Sequence, residues 1–260
     1  MKRKSIVSLV LVVLVVLLLF VLSALFLPLQ HKKTPPIKAP KRVGQIAIVI
    51  DDWGYSLNNL SILAQIKQPL TCAILPGLKN SNLIMQKIDA LGFEILLHLP
   101  MEPKEKMNLE NNTLLLGMDK VTIERIFQQD LSNISLAKGI SNHMGSRIAE
   151  EINTSRLIME EVKKRKLYFF DSFVTHRSVY PALAKKIKVR FAKRDVFLDN
   201  QNDAEYIKKQ LIKLKQLAKT KGIAVGIGHD RKSTLLVLKE MLGQLEKEGY
   251  EFVFLSQVVK

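Results

Sequence analysis

From Gln45 onward the chain alternates short, unbroken apolar runs with longer stretches in which apolar residues recur every three or four positions. The first kind reads as buried strands, the second as helices that pack through one face. Strands are expected at 45–50, 70–75, 93–98, 139–143, 167–171, 188–192, 223–228 and 252–255. Helices are expected at 57–67, 80–91, 120–137, 154–166, 178–187, 203–220 and 232–248. Such regular alternation predicts parallel strands joined by helical crossovers. About 215 residues in seven or eight such units suit a closed β/α barrel, with an open doubly wound sheet as the alternative.

Upstream the pattern changes. Ile6 to Leu27 is apolar throughout except for Ser8 and Ser23, long enough for the ~20 residues that a membrane crossing needs. The basic flank Met1-Lys2-Arg3-Lys4 is expected to stay cytoplasmic. The expected organisation is a signal anchor over 1–29, a linker over 30–44 rich in Lys and Pro (Pro35, Pro36, Pro40), and a barrel over 45–260. The apolar run exceeds the ~7–15 residues usual for a cleaved signal, which favours a retained anchor. Cleavage near Leu22-Ser23-Ala24 would instead give a secreted protein, and either outcome exports everything after Pro28 to the extracytoplasmic or periplasmic side. The membrane is therefore an expected partner, reached through the N-terminal helix. The single cysteine, Cys72, leaves no intrachain disulfide to form and reads as a buried thiol.

The formal net charge of +16 resembles a nucleic-acid signal until it is partitioned. Residues 1–43 hold eight of the 40 Lys and Arg and none of the 24 acids, which leaves 32 minus 24, or +8, for the folded part. The remaining lysines lie mainly on helical stretches such as Lys208 to Lys221, with no interleaved aromatics for stacking bases. No nucleic-acid partner is expected; a basic exterior beside an anionic membrane or envelope polymer accounts for the charge.

The chemistry-bearing residues fall at strand ends. Asp51 and Asp52 close the first strand, His98 the third, Asn142 and His143 the fourth, Asp171 and Ser172 the fifth, and His229 the seventh. In a barrel these ends converge on one mouth, where barrel enzymes place their sites. Adjacent carboxylates repel unless they share a cation or a proton. One Asp with two neutral imidazoles offers a divalent ion, zinc above all, three ligands with positions left open. The residues thus compose a hydrolytic set: Asp52, His98 and His143 as ligands, Asp51 as base and His229 as acid. The plainer alternative is an Asp-rich turn after a strand, with rim histidines.

The segments Ile50-Asp51-Asp52-Trp53-Gly54, Leu96-Leu97-His98-Leu99-Pro100-Met101-Glu102-Pro103 and Asn142-His143-Met144-Gly145-Ser146-Arg147 resemble the divergent branch of the polysaccharide deacetylases. Phe170-Asp171-Ser172, Arg194-Asp195-Val196-Phe197-Leu198-Asp199 and Gly226-Ile227-Gly228-His229 extend the resemblance over roughly residues 45 to 258. It implies a distorted seven-stranded β/α barrel and a metal-dependent carbohydrate esterase. Asp51 would correspond to the family's base, Asp52 to its metal-binding Asp, and His229 to its acid. The main family carries a second ligand histidine four positions after the first; here that position is Glu102. Either Glu102 or His143 would complete the ligand set, and imidazole is the commoner companion of Asp and His on zinc.

Supporting roles are weighed for four more residues. Arg147 would orient Asp51, stabilise developing charge or sit on the surface. Asp171 and Ser172 would brace a ligand histidine or cap a helix, and Asp195 would pair with Arg194. His176 and His31 are read as structural, Gly226 and Gly228 as close-packing positions, and Trp53 and Tyr55 as a sugar-stacking surface or rim packing. The expected function is deacetylation of an N-acetylated envelope glycan. The alternative is a barrel without turnover that binds glycan or serves as an envelope scaffold.

Overall fold

The structure is a computed structural model that describes residues 2–25 and 42–260. The chain divides into two units, Met1–Ala39 and Pro40–Lys260. The first contains α1 (Lys2–Leu25), whose described side chains run from Ser8 to Ser23. Among the described residues no helix is long and apolar enough to cross a membrane, so the span expected over Ile6 to Leu27 is not found. Most of the expected linker, and His31 with it, lies outside the described residues.

The second unit is an α/β barrel. Its strands are β1 (Gly44–Trp53), β2 (Thr71–Ile74), β3 (Glu94–Met101), β4 (Gly139–Met144), β5 (Tyr168–Asp171), β6 (Phe191–Lys193), β7 (Val196–Phe197), β8 (Ile223–His229) and β9 (Tyr250–Phe252). Between them lie α2 (Leu60–Leu63), α3 (Ser81–Ala90), α4 (Lys120–Asn133), α5 (Ile152–Lys164), α6 (Tyr180–Ile187), α7 (Ala204–Lys221) and α8 (Lys232–Lys247). The strands form one parallel sheet in the order β6-β5-β4-β3-β2-β1-β8-β7, with β9 beside the start of β1. The two edge strands, β6 and β7, are separated in the chain only by Arg194 and Asp195. Arg194 N donates to Asp171 O at 3.1 Å and Asp195 N to Val225 O at 2.8 Å. The main chain therefore steps directly from one edge of the curled sheet to the other.

The expected barrel is present, with nine strands where the family resemblance implies seven; β6 and β7 have only 3 and 2 residues. Three expectations shift. The helix predicted over 57–67 shrinks to Leu60–Leu63, because Ser56 and Asn58 close a polar turn ahead of it. β3 runs on past His98 to Met101. The strand predicted at 188–192 starts later, because Lys188 caps α6 in the left-handed conformation, with φ 63°.

Two apolar clusters follow from strand alternation. Ile46, Ile48 and Ile50 face outward onto helix residues such as Leu211, Leu235 and Leu238. Ala47, Val49, Ala73, Leu96, Phe170, Val225 and Ile227 fill the interior. Continuing the series of β1, β3, β5 and β8 by two residues gives Asp51, His98, Ser172 and His229, so the apolar filling leads directly up to the mouth. The opposite end is sealed by Glu94, whose Oε1 accepts from Thr71 Oγ1, Tyr168 OH and Ser256 N at 3.0, 2.8 and 3.0 Å.

Candidate metal centre and its acid–base partners

Adjacent strand residues ordinarily face opposite sides of a sheet. In β1 the pairing with β2 runs Ile50 with Cys72 and then Trp53 with Ile74, so one extra residue is accommodated between them. This is a β-bulge, and Asp52 adopts φ 65° within it. Asp tolerates that left-handed conformation better than most residues. The bulge keeps Asp51 on the interior series, turns Asp52 toward the mouth, and returns Trp53 to the outer cluster, fully buried.

Two histidines converge on Asp52. Its Oδ1 lies 3.2 Å from His98 Nε2 and 3.0 Å from His143 Nδ1. One ligand atom from each of the three residues lies within 4.8 Å of the others. The distances suit hydrogen bonds, yet Asp52 Oδ1 and His143 Nε2 are buried without a hydrogen-bond partner. Buried polar atoms left in this way are rare in folded proteins. Ligand atoms gathered this closely in a buried site are what a cation-binding donor set requires, and an Asp/His/His set fits a divalent metal with positions left open. His98 is fixed by a 2.7 Å contact between its Nδ1 and Ser141 Oγ. Burial lowers its pKa to about 4, so the ring is neutral and its lone pair available. Burial works against the Asp52 anion, but the approach of His143 and His98 outweighs it and holds that carboxyl well below its ordinary range.

Asp51 differs. Its Oδ2 is 3.5 Å from His98 Nε2, and Oδ1 has no partner. Burial first, then the charges of Asp52 and Asp199, push its pKa well above the usual carboxylate value, against a smaller lowering by Arg194. Across the ladder Asp51 is in register with His229. His229 Nε2 is 3.8 Å from Asp52 Oδ2, and its Nδ1 is 2.9 Å from Asp199 Oδ1. Asp199 is fully buried; its Oδ2 also accepts from His229 N at 2.8 Å and Thr234 Oγ1 at 2.6 Å. Phe197 covers one side of the His229 ring, with centroids 5.2 Å apart. Beside Asp52 and His229 opens a groove of about 500 Å³, lined also by Tyr55, Asn58, Arg231 and Lys232.

Other expected site residues lie elsewhere. Glu102 is not in the donor set: it accepts from Arg147 Nη1 at 2.6 Å and from Leu116 N at 2.7 Å, which consumes its carboxylate in holding the β3–α4 loop. Arg147 is half exposed and reaches Glu102, so it does not orient Asp51. Arg194 stands nearer that task, its charge lowering the pKa of both Asp51 and Asp171. It forms no ion pair with Asp195; its Nε and Nη2 donate to the carbonyls of Ser172 and Phe173 at 2.8 and 2.7 Å. Asp195 turns away from the mouth, accepting from Lys221 Nζ at 3.0 Å and Val225 N at 2.9 Å. Asp171 touches no ligand histidine. It accepts from Ser178 Oγ at 2.7 Å and Phe173 N at 2.8 Å, bracing the β5–α6 turn. Ser172 fastens β5 to β4 by donating from N and Oγ to Asn142, at 2.8 and 3.0 Å. Tyr55 is exposed with its hydroxyl on Glu110, and His176 is exposed.

Sequence reasoning missed Ser141 and Asp199 as members of the site. The signal for Ser141 was strand alternation, two residues before His143. For Asp199 it was the end of Arg194-Asp195-Val196-Phe197-Leu198-Asp199, where the nearer Asp195 drew the assignment.

A parallel β/α barrel whose mouth gathers an Asp pair and three histidines defines a class. The sequence model of the divergent polysaccharide deacetylase family matches residues 48–259, and the chain belongs to that family. It is 34% identical over 209 residues to the uncharacterized protein YibQ of Escherichia coli K12, an alignment covering 80% of this chain and 66% of that one. The crystal structure of uncharacterized protein ATU2773 from Agrobacterium tumefaciens C58 superposes with a TM-score of 0.80 at 25% identity, over 84% of this chain and 90% of that one. The catalytic domain of a peptidoglycan N-acetylglucosamine deacetylase from Eubacterium rectale shares the fold, with a TM-score of 0.54 at 14% identity over 82% and 88% of the two chains.

Proposed function

We propose that this barrel is a metal-dependent hydrolase that removes acetyl from an N-acetylated envelope glycan. The observation that carries the reading is the convergence of Asp52, His98 and His143 with unpartnered donor atoms, beside a buried Asp51 and an Asp199-held His229. Asp52, His98 and His143 would hold the metal, zinc by donor type. A divalent cation there supplies Lewis acidity to a water and to the acyl carbonyl.

The chain's own residues supply the rest. Asp51, with its raised pKa and free Oδ1, accepts the proton of the attacking water. Asp199 holds Nδ1–H of His229, and the ring acts as acid in its doubly protonated form, its Nε2–H passing the proton to the departing amine. Interior packing excludes bulk water from below, and the groove beside Tyr55 offers room for a sugar ring. The place of His143 beside Asp52 and His98 supports this reading over that of a non-catalytic scaffold, which the Glu102 position motivated.

Export of the barrel on an N-terminal anchor is proposed from the basic flank and the apolar run after it. Metal content and acetate release from N-acetylated chitooligosaccharides and peptidoglycan test the hydrolytic reading. Metal-free native protein, together with unchanged function on Asp51→Asn, would overturn it.

A further inference from the structure

The end of the barrel opposite the mouth carries a groove that hydrolysis leaves unused. It measures about 580 Å³ and lies where α6 gives way to β6. Pro181, Ala184 and Phe191 contribute its apolar lining; Lys185, Lys188, Arg190 and Lys260 supply its cations. The local sequence explains the cluster. α6 stops at Ile187, Lys188 caps it, and Val189 turns into the core, so the cations on either side stay in solvent. Lys260 is brought alongside by two backbone bonds with Phe191, at 2.8 and 3.1 Å.

Basic residues in the last turn of a helix ordinarily complement its dipole, and Lys185 and Lys186 fit that account. Lys188, Arg190 and Lys260 lie beyond the helix and fall outside it. Nearby cations find acids: Arg42 pairs with Glu251 at 2.7 Å, Lys221 with Asp195 at 3.0 Å, and Lys215 with Glu248. Among the described residues none of the four groove cations pairs with a carboxylate. Arg190 lies over the Tyr168 ring, 5.8 Å from its centroid; an apolar floor ringed by cations that no carboxylate pairs is complementary to a phosphate head on an acyl-glycerol body. The groove is poorly suited to nucleic acid, because its ring, Phe191, is half-buried and stacked on Phe169 with centroids 6.5 Å apart. The first strand also begins at this end, where Val43 N donates to Gly249 O at 2.9 Å and Gln45 N to Gly222 O at 2.8 Å.

We propose that this groove docks the barrel on an anionic phospholipid surface, with the mouth that carries Asp51 and His229 turned away from the bilayer. The docking does not depend on whether the mouth hydrolyses anything.

Both core clusters lie within residues 46–258, so the unit spanning 42–260 carries its own fold and serves for the test. Its binding is measured by co-sedimentation with phosphatidylcholine vesicles, with and without phosphatidylglycerol, at low and high salt. The expected result is retention only with phosphatidylglycerol, weakened by salt. At about fivefold per cation, Lys185→Gln with Lys188→Gln should weaken it about 25-fold. Lys79→Gln with Lys120→Gln, at the mouth end, should leave it unchanged, and circular dichroism confirms that each variant is folded. Equal binding of the double variant, equal binding to pure phosphatidylcholine, or retention on duplex DNA without vesicle binding would each overturn the proposal.

Discussion

Asp199 grips His229 from two directions, taking its backbone amide on Oδ2 at 2.8 Å and its Nδ1 on Oδ1 at 2.9 Å. One carboxylate thereby sets both the position and the tautomer of the ring. Partners that orient an active imidazole in this way are commonly worth about 10–100-fold in activity. Asp199→Asn is expected to lower kcat for acetate release by that factor while KM stays within about twofold. Steady-state kinetics on an N-acetylated oligosaccharide check it, and an unchanged kcat would remove Asp199 from the mechanism.

The donor set makes a separable forecast for metal binding. His98→Ala and His143→Ala should abolish stoichiometric zinc, whereas Glu102→Gln should retain it, since that carboxylate is engaged by Arg147 and Leu116. Ser141→Ala, which frees Nδ1 of His98, should weaken affinity about 10–100-fold without removing a ligand. Competition with a chromophoric chelator measures all four variants. Full zinc affinity in His143→Ala would be decisive against the assignment.

Asp130 on α4 gives a pH dependence far from the mouth. It is buried, its Oδ2 has no partner, and burial raises its pKa to about 6 despite a hydrogen bond from Asn112. The folded value lies above the ~3.9 of an unfolded Asp, so the protonated carboxyl favours the fold fully below about pH 4, and that contribution disappears as pH rises through about 6. Asp130→Asn should flatten this decline and stabilise the barrel at pH 7 by on the order of 2 kcal/mol. Urea unfolding of the unit at pH 4.5 and 7 compares the two proteins. A wild-type curve that does not fall between those values would refute the assignment.

Gly228 links packing to the site. A Cβ there would meet Thr234 Cγ2 at 2.9 Å, with Asp199 Oδ2 at 3.6 Å behind it. Gly228→Ala should cost about 1–3 kcal/mol through overpacking. It should also lower kcat, because Thr234 cannot shift without disturbing its 2.6 Å bond to Asp199. Thermal melting and acetate release would be read together; a loss of stability with full activity would uncouple them.

The barrel was legible because its interior is filled by alternating apolar residues, and the same parity carries Asp51, His98, His143 and His229 to one mouth. Less legible was everything set by the loops. Arg147 and Glu102 both looked available, and only their mutual contact shows that each occupies the other. Asp195 and Asp199 are four positions apart in one segment, and the short β7 between them sends one toward Lys221 and the other toward His229. Two residues of strand are too few to leave a periodic trace.

The bulge in β1 works as a change of reading frame. Before it, odd-numbered positions face inward; after it, Trp53 faces out. Removing one residue there would restore even pleating and swing the carboxylate of Asp52 out of reach of both histidines, with every side chain chemically unaltered. A variant library that holds Asp51 and Asp52 fixed but tolerates length changes at this point would keep the motif and lose the centre.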